Sequence, residues 1–82
     1  MQEPPLEQLG KQIAVLRKRK KWSQDRFSEE SGLARSYVAE VELGRINISF
    51  RNLHRIAVAL DVSLPELLSF DVKPANQSKF DE

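Results

Sequence analysis

Residues 24–41 read Gln24-Asp25-Arg26-Phe27-Ser28-Glu29-Glu30-Ser31-Gly32-Leu33-Ala34-Arg35-Ser36-Tyr37-Val38-Ala39-Glu40-Val41. Two short helical runs flank Gly32, and five positions carry the pattern: Gln24, Ser28, Gly32, Val38 and Val41, at offsets 0, 4, 8, 14 and 17. Ser28 is small, so two helices can cross closely there. Gly32 takes a positive φ at no steric cost, which ends the first helix and turns the chain sharply. Leu33, Val38 and Val41 give the second helix an apolar side to lay against the first.

The helical reading extends in both directions. Pro5 is pre-set for a first turn, and Leu6, Leu9, Ile13 and Leu16 recur at steps of three or four, predicting a helix from about Leu6 to Lys20. Trp22 opens a short connection, and Ser23 caps the next helix, to about Ser31, with Phe27 and Ser28 inward. The helix after Gly32 runs from about Arg35 to Leu43 and is closed by Gly44. Ser49 caps a further helix to about Leu60, with Leu53, Ile56, Ala57 and Leu60 inward. Ser63 and Glu66 form the S-x-x-E pattern of a capping box for a last short helix through Leu68. Strand-like alternation is sustained nowhere, and there is no internal repeat. The expected fold is all-α: five short helices in one domain over residues 1–70, then a polar tail over 71–82 that is expected to be mobile.

Composition narrows the function. With 82 residues, 40% of them hydrophobic and 30% charged, the chain suits one small globular domain without a separate catalytic or sensor lobe. Zero cysteines exclude disulfides, thiolate metal sites and cysteine nucleophiles, and fit a reducing compartment. No run approaches the ~18 apolar residues of a spanning helix. Met1-Gln2-Glu3-Pro4-Pro5 has neither the basic nor the apolar region of a signal peptide, so a cytoplasmic location is expected. The one histidine, His54, has no second ligand in its pattern, and the glycines at 10, 32 and 44 build no phosphate loop. No catalytic residue, cofactor or metal site is expected.

The formal charge of +1 hides an asymmetry. Between Lys11 and Leu60 eleven Lys and Arg stand against five Asp and Glu, and the flanks carry the compensating acid. A near-neutral chain can thus present the basic face of a polyanion binder. The densest run, Arg17-Lys18-Arg19-Lys20-Lys21, also suits the negative end of a helix dipole, so alone it decides nothing. Its position at a helix end, without a large apolar face behind it, argues against membrane-surface binding.

The spaced positions belong to a longer pattern: Trp22-Ser23-Gln24-Asp25-Arg26-Phe27, Ser31-Gly32-Leu33-Ala34-Arg35-Ser36-Tyr37-Val38 and Val41-Glu42-Leu43-Gly44-Arg45. This pattern resembles the helix-turn-helix of the Cro/C1-type (XRE) family of bacterial and phage repressors. The resemblance runs from about Leu9 to Leu68 and departs at Ser28, where Ala is the family habit. It implies a lambda-repressor-like DNA-binding domain, bacterial or phage-encoded, acting as a sequence-specific transcriptional regulator of double-stranded DNA. Asn47-Ile48-Ser49 looks like the matching segment of restriction–modification controller proteins, small dimers that regulate their own operon. Ile46 departs from that subfamily, which carries Arg there. A phage-type repressor stays open, as does an antitoxin-like or partner-binding interaction module in which DNA binding is secondary or lost.

On the helix after Gly32, Tyr37, Val38 and Val41 point one way, and Arg35, Ser36, Ala39, Glu40 and Leu43 the other. Arg35 is the candidate for bidentate pairing with guanine in the major groove. Ser36 can meet a base edge or a phosphate, and Ala39 leaves room for close approach. Glu40 can accept from cytosine N4, or repel phosphate and orient Arg35, the second being the preferred reading. The resemblance gives Gln24 a phosphate contact at the start of its helix, which suits a helix N-terminus. Ser23, Tyr37, Arg45, Asn47 and Ser49 are further candidate phosphate contacts, Tyr37 having an equal claim to be core. The resemblance also pairs Arg17 with Glu42 as a structural salt bridge between the first and third helices. A two-fold homodimer on a palindromic operator would read half-sites about 34 Å apart. Its interface, by resemblance on the fourth and fifth helices, is expected at Leu64, Leu67, Leu68 and Phe70, with ordinary core as the alternative for Leu64 and Leu67. Expected partners are operator DNA, a second copy of the chain and, if the protein activates, RNA polymerase.

Overall fold

The computed structural model describes residues 4–70; the polar tail expected at 71–82 lies outside them. Five helices follow in order: α1 Pro5–Arg19, α2 Gln24–Ser31, α3 Arg35–Glu42, α4 Phe50–Leu60 and α5 Leu64–Leu67. No strand occurs among the described residues.

Local chemistry sets the helix boundaries. The hydroxyls of Ser23 and Ser49 accept from the backbone N–H groups of Arg26 and Asn52, satisfying donors that a helix start leaves free. Ser63 and Glu66 make the full reciprocal capping box, which holds α5 although it is one turn long. At the other ends, Lys21, Gly32, Gly44 and Asp61 are left-handed, with φ between 59° and 73°. After α1, α3 and α4 the next N–H reaches back five residues: Trp22 to Arg17, Arg45 to Glu40 and Val62 to Ala57. This is the Schellman closure, which satisfies orphan carbonyls and turns the chain back over the helix.

α3 packs against α1 and α2, α4 against α2, and α5 against α4 and α1. The enclosed core is Leu9, Ile13, Phe27, Leu33, Val38, Val41, Ile56, Ala57, Leu60 and Leu67. Leu16 and Leu53, expected inward, are only half-buried at its margin, and Leu6, also expected inward, is half-buried. A close backbone approach lies at Gly10, where a Cβ would lie 2.4 Å from the Glu42 carbonyl oxygen and 2.5 Å from that of Val41. α1 therefore lies directly on the C-terminal turn of α3, which fixes the tilt of α3. The Ser28 hydroxyl donates to the Leu33 carbonyl and ties α2 to the turn after it.

One correction concerns α5. Leu67 has 0% relative exposure and belongs wholly to the core of its own chain, so it cannot contact a partner. Leu67 is the one fully buried residue of α5. Leu64 and Phe70 are half-buried against the same core, while Leu68 is 44% exposed.

Candidate nucleic-acid interface

The outward side of α3 is built by elimination. Val38 and Val41 are taken by the core, and Tyr37 is half-buried, its phenol oxygen accepting from Asn52 Nδ2 on α4 at 3.0 Å. Arg35 and Ser36 are left exposed on the first turn, and Ala39 and Glu40 half-exposed on the second. Ala34, the N-cap of α3, makes no side-chain cap, so the first N–H groups of α3 have no side-chain acceptor there.

Behind this face lies a buried polar brace. Arg17 donates from Nε to Glu42 Oε2 at 2.7 Å and from Nη2 to Oε1 at 3.0 Å, the two side chains being 10% and 6% exposed. A third Arg17 donor reaches the Trp22 carbonyl at 2.8 Å. Glu42 Oε1 also accepts from Gln24 Nε2 at 3.0 Å. One carboxylate thus joins α1, the end of α3 and the first residue of α2. The fork-on-carboxylate geometry suits a desolvated pair, because each charge retains hydrogen bonds inside the protein.

The brace continues to the surface. Gln24 Oε1 accepts from Arg35 Nη2 at 3.3 Å, and Asp25 Oδ1 lies 3.3 Å from Arg35 Nε. Arg35, on the first turn of α3, is therefore held by the first turn of α2. Glu40, preferred above as the group orienting Arg35, pairs instead with Arg45 at 3.5 Å. The left-handed Gly44 folds Arg45 back over the last turn of α3, which brings its guanidinium to Glu40 and leaves Arg35 to α2. Ser23, Asn47 and Ser49 are exposed, and the hydroxyls of Ser23 and Ser49 serve as caps. Lys20 Nζ and the Arg26 guanidinium sit 5.1 and 5.5 Å from the centre of the Trp22 ring, adding cations beside the start of α2.

Three participants were not singled out from the sequence: Asp25, Asn52 and Gly10. Gly10 carried a signal, since a glycine inside a helix costs about 1 kcal/mol and marks a close backbone approach. Asp25 and Asn52 carried none, as an acid and an amide in first turns are ordinary helix-start residues. Among the described residues no group of three His, Cys, Asp or Glu is placed to hold a metal ion, and no helix is long and apolar enough to cross a membrane.

The Helix-turn-helix family model (HTH_3) matches residues 13–67, which spans α2, α3 and the elements that hold them. The chain is similar to a hypothetical transcription factor of Neisseria meningitidis, 38% identical over 60 residues that cover 73% of this chain and 57% of that protein. It is similar to the control protein C.MunI of a Mycoplasma species, 38% identical over 61 residues covering 73% and 82% of the two chains. It spans less than half (42%) of the immunity repressor protein of Bacillus phage phi105, to which it is 33% identical over 60 residues. Among solved structures, the restriction-modification controller protein C.AhdI from Aeromonas hydrophila superposes with a TM-score of 0.74 at 42% identity, covering 76% of this chain and 94% of that one. Family match, fold and an exposed α3 face agree: the chain belongs to the helix-turn-helix family of Cro/C1-type (XRE) DNA-binding transcriptional regulators, which includes the restriction–modification controller proteins.

Proposed function

We propose that this chain is a cytoplasmic, autoregulatory repressor or controller that binds a palindromic operator as a homodimer, placing α3 in the major groove. Arg35, Ser36, Ala39 and Glu40 then face base edges, while Ser23, Gln24, Tyr37, Arg45, Asn47 and Ser49 lie along the flanking phosphates. The observation that carries this reading is the exposed guanidinium at the start of α3, braced by Gln24 and Asp25 rather than left to swing free. Similarity to C.MunI and C.AhdI at 38% and 42% identity, with Asn47-Ile48-Ser49 in the loop before α4, supports the controller reading. RNA polymerase is a further partner if the protein activates. Exposed Leu68 on the α5 side and Val58 on α4, 44% and 64% exposed, are the apolar surface a second copy would cover.

The test is selection of bound sequences from a random duplex library at two salt concentrations. The expected result is an enriched palindrome with half-sites about ten base pairs apart or a multiple of that. Arg35→Ala should then weaken binding by about 1–3 kcal/mol, with the loss confined to one base pair per half-site. Steeply salt-dependent binding without enrichment would reduce the protein to a general phosphate binder. No binding at all would favour the protein-interaction module.

A further inference from the structure

We propose that Asp25 is a specificity-setting positioning residue: its carboxylate, on the first turn of α2, holds Arg35 in the pose that reads a base and discourages Arg35 from gripping phosphate. The inference rests on the proposed DNA-reading role of α3. Arg35 has two partners among the described residues, and both come from the neighbouring helix start. Its Nε faces Asp25 Oδ1 at 3.3 Å, and one Nη2 proton faces Gln24 Oε1 at 3.3 Å. A guanidinium has five N–H donors in a rigid fork, so Nη1 and one Nη2 proton stay available to a base edge. Two roughly parallel donors on one edge are what guanine O6 and N7 require.

The charge has a second effect. An unpaired arginine at a groove-facing helix end is attracted to every phosphate it meets, whatever the sequence. Asp25 is 77% exposed beside it, and it meets an approaching polyanion with a negative charge while cancelling much of the Arg35 field. It therefore lowers affinity for any duplex and lowers it least where the available donors find their base. Discrimination is a difference of affinities, and such a residue raises the difference while lowering the mean. Asp25 also suits the positive end of the α2 dipole, but that role concerns stability and is indifferent to DNA sequence.

The test uses the full chain carrying Asp25→Asn, which keeps shape and removes charge, alone and together with Arg35→Ala. The probes are the duplex enriched by the wild-type chain, the same duplex with the Arg35-dependent base pair exchanged, and a random duplex of equal length. Binding is followed by fluorescence anisotropy. Asp25→Asn should tighten binding to the random duplex and lower the exchanged-to-enriched Kd ratio roughly two- to fivefold, the range of one exposed ion pair. In the Arg35→Ala background that change in ratio should vanish, since Asp25 acts through Arg35. An unchanged ratio, or an equal change in both backgrounds, would overturn the proposal while leaving the DNA-reading role standing. If the wild-type chain enriches no duplex, both fall together.

Discussion

Glu42→Ala removes the carboxylate that three donors share: Arg17 Nε and Nη2 and Gln24 Nε2. What stays behind is a buried guanidinium with the Trp22 carbonyl as its remaining partner among the described residues. Leaving one charge of a buried pair uncompensated costs about 3–5 kcal/mol. A chain of this size has a total stability of roughly 4–12 kcal/mol, so the loss is a large share of it. Thermal unfolding by circular dichroism should show Tm falling by roughly 12 °C or more, at about 4–8 °C per kcal/mol. The paired replacement Arg17→Met with Glu42→Leu deletes both charges and keeps the volume, and it should recover most or all of that stability. It should not recover operator binding, because the Gln24 amide has lost the acceptor that aims it toward Arg35. A weakening of about fivefold is expected, from one hydrogen bond worth about 1 kcal/mol. If Glu42→Ala lowers stability by less than about 1 kcal/mol, the pair is effectively solvated and the brace is not a brace. If the paired replacement binds operator as the wild type does, the relay through Gln24 is refuted.

Two glycine substitutions should fail for different reasons. Gly10→Ala gains helix propensity but drives a methyl into two backbone oxygens, so a net destabilisation of about 1–3 kcal/mol is expected, together with weaker DNA binding as α3 tilts. Gly32→Ala meets nothing within 4 Å, so its loss of about 1 kcal/mol should come from φ +73° alone, without much change in the affinity of the folded protein; urea unfolding and anisotropy separate the two. On α5, Leu67→Ala should cost about 2–5 kcal/mol of stability through a core cavity. Leu68→Asp should leave Tm nearly unchanged and shift sedimentation toward the monomer; an unchanged sedimentation profile would remove Leu68 from the dimer surface.

Those contrasts follow the division between what a chain segment dictates for itself and what packing imposes. Helix starts at Ser23, Ser49 and Ser63, and the stops at Gly32 and Gly44, were legible because capping and left-handed turns are settled within a few residues. The buried side of α3 and the exposed Arg35 and Ser36 were legible too, since helical periodicity alone sorts them. The direction of each exposed side chain was not. Glu40 meets Arg45, and Arg35 meets Gln24 and Asp25, because the turns at Gly32 and Gly44 bring together groups that periodicity treats as independent. Nor was the choice between Leu67 as core and Leu68 as surface legible, because a single turn of helix has no period to read and its orientation is fixed by α1 and α4. Local rules thus determined the helices and the outward side of α3, whereas contacts between distant segments, among them α1 against the end of α3 at Gly10, decided how that side is aimed.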